Sequence, residues 1–255
     1  MGLTEYAETV TSLLYPGNTL SEHVLHPAVW ALETALNLQP WQRQCLCLRL
    51  DGGFGTDANL NWALRQGYGL VAKNKGGRRA GAWGRRVQHW TELEPDQRWV
   101  ALAPQQLSLA GPTRTLALPW RNQRGQLKHA LYVVTDLDSS LELICQKYNL
   151  RGGTEVEIRN DKQGLLLAHR RKRAWPAQEI LVLLNDLAHN FITAFRRMVL
   201  TDTPLAEFGS YRLIQEVFNI PGEVVTRDER LVELRLLQTH PYARIMAEAL
   251  PRLWQ

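Results

Sequence analysis

The rhythm of apolar and polar positions changes several times along the chain. "TVTSLLY" (9–15) predicts a strand, and "PGN" (16–18) closes it as a turn. "HPAVWALETAL" (26–36) repeats its apolar residues at helical spacing. "CLCLRLD" (45–51) is apolar at nearly every position, the pattern of a strand buried on both faces. "TDANLNWALRQG" (56–67) returns to helical spacing, with Thr56 as its N-cap and Gly67 just past its end. "YGLVAK" (68–73) reads as another strand. Strand, short helix and strand within about thirty residues predict a parallel crossover unit.

Residues 74–130 are richer in Gly, Arg, Trp and Pro. Their short alternating runs, "RWVALAP" (98–104), "TRTLALPW" (113–120) and "LKHALYVVT" (127–135), predict a small β-rich insertion. A long helical pattern resumes near Ser140. A second spans 175–200, with Pro176 tolerated in its first turn. The tail holds "YRLIQEVF" (211–218), a turn at "IPGE" (220–223), a strand at "RLVELRLL" (230–237) and a last helix from Tyr242. There is no internal repeat and no low-complexity segment.

With 255 residues and 45% hydrophobic content, the chain can bury one large core or two small ones. Its net charge of +5 and pI of about 9.3 suit a polyanionic partner. The excess is concentrated in "KNKGGRRAGAWGRR" (73–86) and "HRRKR" (169–173), although a basic cluster is often only solvated surface. Three cysteines, Cys45, Cys47 and Cys145, fit no disulfide framework. Cys45 and Cys47 alternate with leucines as buried strand residues do, and the expected compartment is reducing. The N-terminus lacks a signal pattern, and polar residues break the apolar run 180–195. A cytoplasmic protein without a membrane span is expected.

Chemistry enters at "YNLRGGTEVEIRNDK" (148–162). On a helix turning about 100° per residue, Arg151, Glu155 and Lys162 fall at about −60°, −20° and −40° from Tyr148. These four form one stripe. Glu157 falls near 180°, on the other face. Arg, Lys and Tyr can all hold phosphate oxygens. A carboxylate among them makes sense if a divalent cation bridges it to phosphate. The same spacing also suits an amphipathic helix with intrahelical ion pairs. Gly152 and Gly153 cost such a helix about 1 kcal/mol each against alanine, which close approach of another backbone would explain.

Asp51 ends "CLCLRL" and opens "DGGFG". Asp-Gly after a strand is ordinarily a turn. Ligands in parallel sheets, however, gather at the carboxyl ends of strands, and two-metal phosphoryl chemistry draws its carboxylates from separate segments. The block "RLDGGFGTDANLNWALRQGYGLVAKNKG" resembles that around the second aspartate of bacterial insertion-sequence transposases of the DDE class. The later stretch is similar to the signature of one of their large groups: Tyr, two residues, Arg, three residues, Glu, six residues, Lys. Tyr148, Arg151, Glu155 and Lys162 meet every spacing. "YPGNTLSEH" (15–23) and "AHNFITAFRR" (188–197) also resemble family segments, so the likeness spans nearly the whole chain.

The resemblance implies an α/β fold, an incomplete RNase H-like core with a β-rich insertion and C-terminal helices. Residues 1–73 would be the part of the core carrying the second aspartate, 74–131 the insertion, 132–200 the helical part with the Y-R-E-K signature, and 201–255 a C-terminal tail. Asp51 and Glu155 would be catalytic metal ligands for Mg2+, with Mn2+ as the alternative. Tyr148, Arg151 and Lys162 would grip transposon-end DNA. The reaction would be strand cleavage by activated water, then attack of a 3′ hydroxyl on target DNA. Trp83, Trp90, Trp99 and Trp120 are candidates for stacking on an unpaired base, with packing as their ordinary use. A homodimer, or pairing with intact transposase, is the expected assembly, and the location is the cytoplasm and nucleoid.

The family pattern needs a first aspartate on the first core strand. About eight residues before "TVTSLLY" are too few for two strands of ordinary length. Glu5 and Glu8 are the acids there, and neither has strand context. The expectation is a C-terminal portion of a transposase, inactive alone. The alternative is a non-catalytic DNA-binding remnant that inhibits intact transposase. "CLCLRL" should then be an exposed sheet edge.

Overall fold

The computed structural model describes residues 2–3, 7–93, 98–149, 151–167 and 173–254; for 2, 3, 151–155, 157 and 254 the description is of the backbone. In chain order, β1 (Gly2–Leu3) and β2 (Glu8–Thr9) are followed by α1 (Leu25–Ala35), β3 (Cys47–Leu50), α2 (Asp57–Arg65), β4 (Gly69–Lys73) and α3 (Gly77–Gly84). Then come β5 (Thr91–Leu93), β6 (Arg98–Leu102), β7 (Arg114–Arg121), β8 (Leu127–Val134), α4 (Leu141–Asn149), α5 (Arg151–Gly164) and α6 (Trp175–Val199). The chain ends with α7 (Ser210–Arg212), which runs into a π turn, then β9 (Gly222–Arg227), β10 (Arg230–Leu236) and α8 (Ala243–Ala249). It divides into two compact units, residues 15–152 and residues 1–14 with 153–255.

The 15–152 unit is built on a mixed sheet, six-stranded among the described residues, in the order β3-β4-β8-β7-β6-β5. β3 and β4 are parallel, with Leu50 opposite Ala72, and α2 crosses between them as the sequence predicts. Thr56 caps α2 by accepting from Asn59 N at 3.2 Å, and Gly67 follows the helix at φ +89°. The remaining pairs are antiparallel. Alternation along β7 and β8 sorts the two faces. Leu116 and Val134 meet Ile144, Cys145 and Tyr148 of α4, whereas Ala117 and Leu131 meet Ala80 of α3. The strands of 74–131 therefore belong to the same sheet as β3 and β4. β3 is an edge strand, four residues long. Leu48 and Leu50 are buried, but Cys45 and Cys47 are exposed, so the expectation that both cysteines pack inside is corrected. An edge strand with one covered face buries only alternate residues, which leaves Cys47 out, and Cys45 lies before the strand, at the end of a short 3-10 helix over Pro40–Cys45.

The second unit gathers Val199, Leu200, Leu205, Leu213, Val217 and Met246 into one core. The strand expected over 9–15 is present only at Thr9. Side chains of α6 satisfy this segment instead. Thr9 N donates to Asn190 Oδ1 at 2.8 Å, Asn190 Nδ2 donates to Thr9 O at 2.7 Å, and Ser12 Oγ donates to Asp186 at 2.9 Å. Glu8 pairs with Arg197 at 2.8 Å, while Glu5 lies outside the described residues. Among the described residues, no helix is long and apolar enough to cross a membrane.

Candidate nucleic-acid and metal site

Asp51 follows β3 at the carboxyl end of the parallel β3–β4 pair. Its carbonyl accepts from the backbone N–H of Phe54 and Gly55, both at 3.1 Å, and its Oδ1 accepts from Gly53 N at 2.8 Å. This local turn holds the half-buried carboxylate at the strand end. Among the described residues its Oδ2 makes no hydrogen bond. A rigid carboxylate with one uncommitted oxygen suits a hard cation such as magnesium, which takes one or two protein carboxylates and completes its shell with water and phosphate.

The turn after β3 is stitched to the turn after β4. Gly55 O accepts from Lys75 N at 2.8 Å and from Asn74 Nδ2 at 3.1 Å. The approach is close enough that a Cβ on Gly55 would stand 1.8 Å from the Lys73 carbonyl oxygen. Asn74 Nδ2 also donates to Asp57 Oδ1 at 2.9 Å, and Arg79 forks onto Asp57 at 2.9 and 2.7 Å. The Arg79 guanidinium holds the Asp57 carboxyl below the usual aspartate range.

Cations surround this end of the sheet. The Lys73 stem runs 3.6 Å from where a Gly52 Cβ would be, and its Nζ lies 5.6 Å from the centre of the Trp120 ring. Lys75 pairs with Glu22. Arg78 on α3 and the following Arg85 and Arg86 are exposed. The glycine-rich basic stretch that carried no helical pattern is thus α3, held on the sheet by Ala80 and Gly84. Trp83 and Trp90 pack around Ala80, whereas Trp99 and Trp120 are exposed. The second basic cluster, 169–173, lies outside the described residues except for Arg173.

Tyr148 on α4 is 5% exposed, its ring centre 4.1 Å from that of Tyr132. The backbone is helical through Arg151 and Glu155, but their side chains lie outside the described residues. Lys162 is exposed in the last turn of α5. Asp51, Tyr148 and Arg151 fall in one unit, Glu155 and Lys162 in the other. No group of three His, Cys, Asp or Glu side chains among the described residues could hold a metal ion.

Within its own unit α5 is fixed by a polar cluster that the sequence pattern missed. Asp161 meets His189 of α6 at 2.9 Å and accepts from Ser210 Oγ at 3.0 Å; His189 Nε2 meets Ala7 O at 2.8 Å. The helix approaches its neighbours closely on this face. A Cβ on Gly164 would stand 2.8 Å from Tyr211 Cα, and one on Gly209 would stand 2.3 Å from the Asn160 amide. The usable signal was the cluster of Asn185, Asp186, His189 and Asn190 inside an apolar helix, because buried polar groups need partners.

A family model described as the transposase DDE domain, group 1, matches residues 4–255. A search of curated proteins gave no match.

Proposed function

Because the chain belongs to the transposase DDE domain family, group 1, we propose that it acts on transposon-end DNA through Asp51 and Glu155 as metal ligands and Arg151 and Lys162 as backbone clamps. Membership places the chain in DNA transposition with divalent-metal chemistry. The single observation carrying the finer reading is Asp51, held by its own turn at the carboxyl end of a parallel strand with one oxygen uncommitted.

Asp51 and Glu155 would hold magnesium, which lowers the pKa of bound water and offsets charge on the attacking and leaving oxygens. Arg151 would fork onto a phosphate, and Lys162 would add a point charge. Tyr148 completes the row, and its share of the grip requires its ring to turn out from Tyr132 when DNA binds. The exposed Lys75, Arg78, Arg85 and Arg86 would add sequence-independent attraction for the duplex.

The test is fluorescence anisotropy on a duplex carrying the element's end, with and without magnesium. Asp51→Asn and Glu155→Gln should each remove most of the magnesium-dependent gain and leave metal-free binding intact. Lys162→Ala should weaken metal-free binding and lower the salt slope by about 1. Binding that magnesium does not change, in wild type and variants alike, would defeat the reading. The expected nicking by the chain alone is none or a trace, because the reading supplies two carboxylates where the family chemistry uses three. Robust nicking abolished by Asp51→Asn would place a third acid within the chain.

A further inference from the structure

α6 is apolar on more than one face: Val182 and Val199 are buried, and Ile192 and Phe195 pack on the core of its own unit. The side turned into its own unit is rich in polar groups, Asp186, His189, Asn190 and Thr193, bonded to residues 7–12, to α5 and within the helix. The opposite side carries Ile180, Leu183, Leu184, Leu187, Phe191 and Met198, each 51–67% exposed. The outward stripe is a second apolar face, additional to the one packed on the core, that water should not keep.

We propose that this face is a dimer interface, occupied by the same helix of a second copy of the chain in antiparallel orientation. Positions 180, 184, 187, 191, 194 and 198 step alternately by four and three, the seam of a coiled coil. The sequence of steps reads the same in both directions. A two-fold axis across the helix therefore sets Ile180 against Met198, Leu184 against Ala194 and Leu187 against Phe191. Each layer joins unlike positions, as antiparallel pairing requires, and the small Ala194 makes room for Leu184.

Charge favours the same orientation. Glu179, which accepts from Trp175 Nε1 at 3.0 Å, flanks the amino end of the face, while Arg197 flanks its carboxyl end and bonds Glu8 of its own chain at 2.8 Å. Antiparallel packing brings opposite signs together at both ends, and parallel packing stacks like signs. Six half-exposed apolar side chains cover on the order of 600 Å² per copy, or about 1,200 Å² in the pair, the lower bound of a specific interface. The carboxyl half of the stripe opens into an apolar groove of about 400 Å³ lined by Phe191, Phe195, Met198, Phe218 and Leu253, in place to receive Ile180 and Leu183 of the other copy.

This inference goes beyond the proposed function and does not depend on it, because it is measured without DNA or metal. The experiment is sedimentation equilibrium of the full chain across the micromolar range. Wild type should show the mass of a dimer. Leu187→Glu and Phe191→Lys should each be monomeric, with unchanged circular dichroism, since both side chains are exposed in the monomer. An equimolar mixture of the two variants should return to a dimer with one copy of each, because antiparallel register sets the new glutamate beside the new lysine. A monomeric wild type, or dimers that neither variant dissociates, would overturn the proposal. So would a mixture that stays monomeric.

Discussion

His189 lies between two oxygens from distant parts of the chain, with Nδ1 2.9 Å from Asp161 Oδ2 and Nε2 2.8 Å from Ala7 O. It is 3% exposed. One imidazole thus ties α5, α6 and the N-terminal segment of the unit together. Removing it leaves a nearly buried carboxylate and a carbonyl short of a donor. His189→Ala should cost about 2–4 kcal/mol, from stranded partners more than from lost bonds. Ser210→Ala, which leaves Asp161 its histidine, should cost about 1 kcal/mol. Urea unfolding of both variants is the measurement. Equal losses would mean that the histidine holds nothing beyond an ordinary hydrogen bond.

The two glycines flanking the Asp51 turn should behave in opposite ways. A Cβ on Gly55 would sit 1.8 Å from the Lys73 carbonyl oxygen, and backbone cannot yield as a side chain can. A Cβ on Gly52 would meet the flexible Lys73 stem at 3.6 Å, ordinary contact. Gly55→Ala should therefore force the β3 and β4 turns apart and cost more than about 3 kcal/mol, while Gly52→Ala stays within about 1 kcal/mol of wild type. Thermal unfolding distinguishes them. A Gly55→Ala protein as stable as wild type would show that the two turns are not packed as described.

Asp57 gives a pH dependence with a definite sign. Its carboxyl is held low chiefly by the Arg79 fork, so the folded value lies below the unfolded one. The pair's contribution is then present above the unfolded value and is lost as pH falls through the folded one. Arg79→Gln should move the Asp57 titration upward in carboxyl-carbon NMR. The stability gap between wild type and variant should be steady near neutrality and shrink below about pH 4. Both side chains are partly open to solvent, so the gap is small. A gap that persists in acid would assign it to guanidinium packing on Trp83, whose ring centre lies 5.9 Å away.

The crossover unit was legible because its cues are local. The apolar run of β3, the Thr56 cap and Gly67 each act within a few residues, and all three hold in the structure. The spacing of Tyr148, Arg151, Glu155 and Lys162 is a property of the sequence; in the structure Tyr148 is buried on α4 and Lys162 is exposed on α5. What the sequence could not convey was long-range. The exposure of Cys47 depends on β3 lying at the edge of the sheet, a matter of which strands pair. The 9–15 segment has strand-like residues, but among them only Thr9 pairs with a strand, and the Asn190 side chain meets the Thr9 backbone N–H and carbonyl. α3 was hidden by its glycines, which lower helix propensity yet let the helix lie close on β8, where a Cβ on Gly84 would strike His129 at 2.2 Å.

The β9–β10 hairpin turns through two residues, Asp228 at φ 52° and Glu229 at φ 61°, with Arg227 paired to Arg230. Two left-handed residues make the turn whose twist matches the strands, and the favoured pair for it is Asn-Gly. Asp tolerates that conformation through its short polar side chain, but Glu has no such relief. The missing glycine is why the turn escaped the sequence pattern. Glu229→Gly should relieve the strain and stabilise the hairpin by about 0.5–1 kcal/mol, partly offset by added freedom in the unfolded chain. The hairpin is exposed along most of its length, so the gain should appear as slower hydrogen exchange at β9 and β10 amides and leave global unfolding nearly unchanged. Faster exchange in Glu229→Gly would mean that the unfolded-state entropy outweighs the relieved strain.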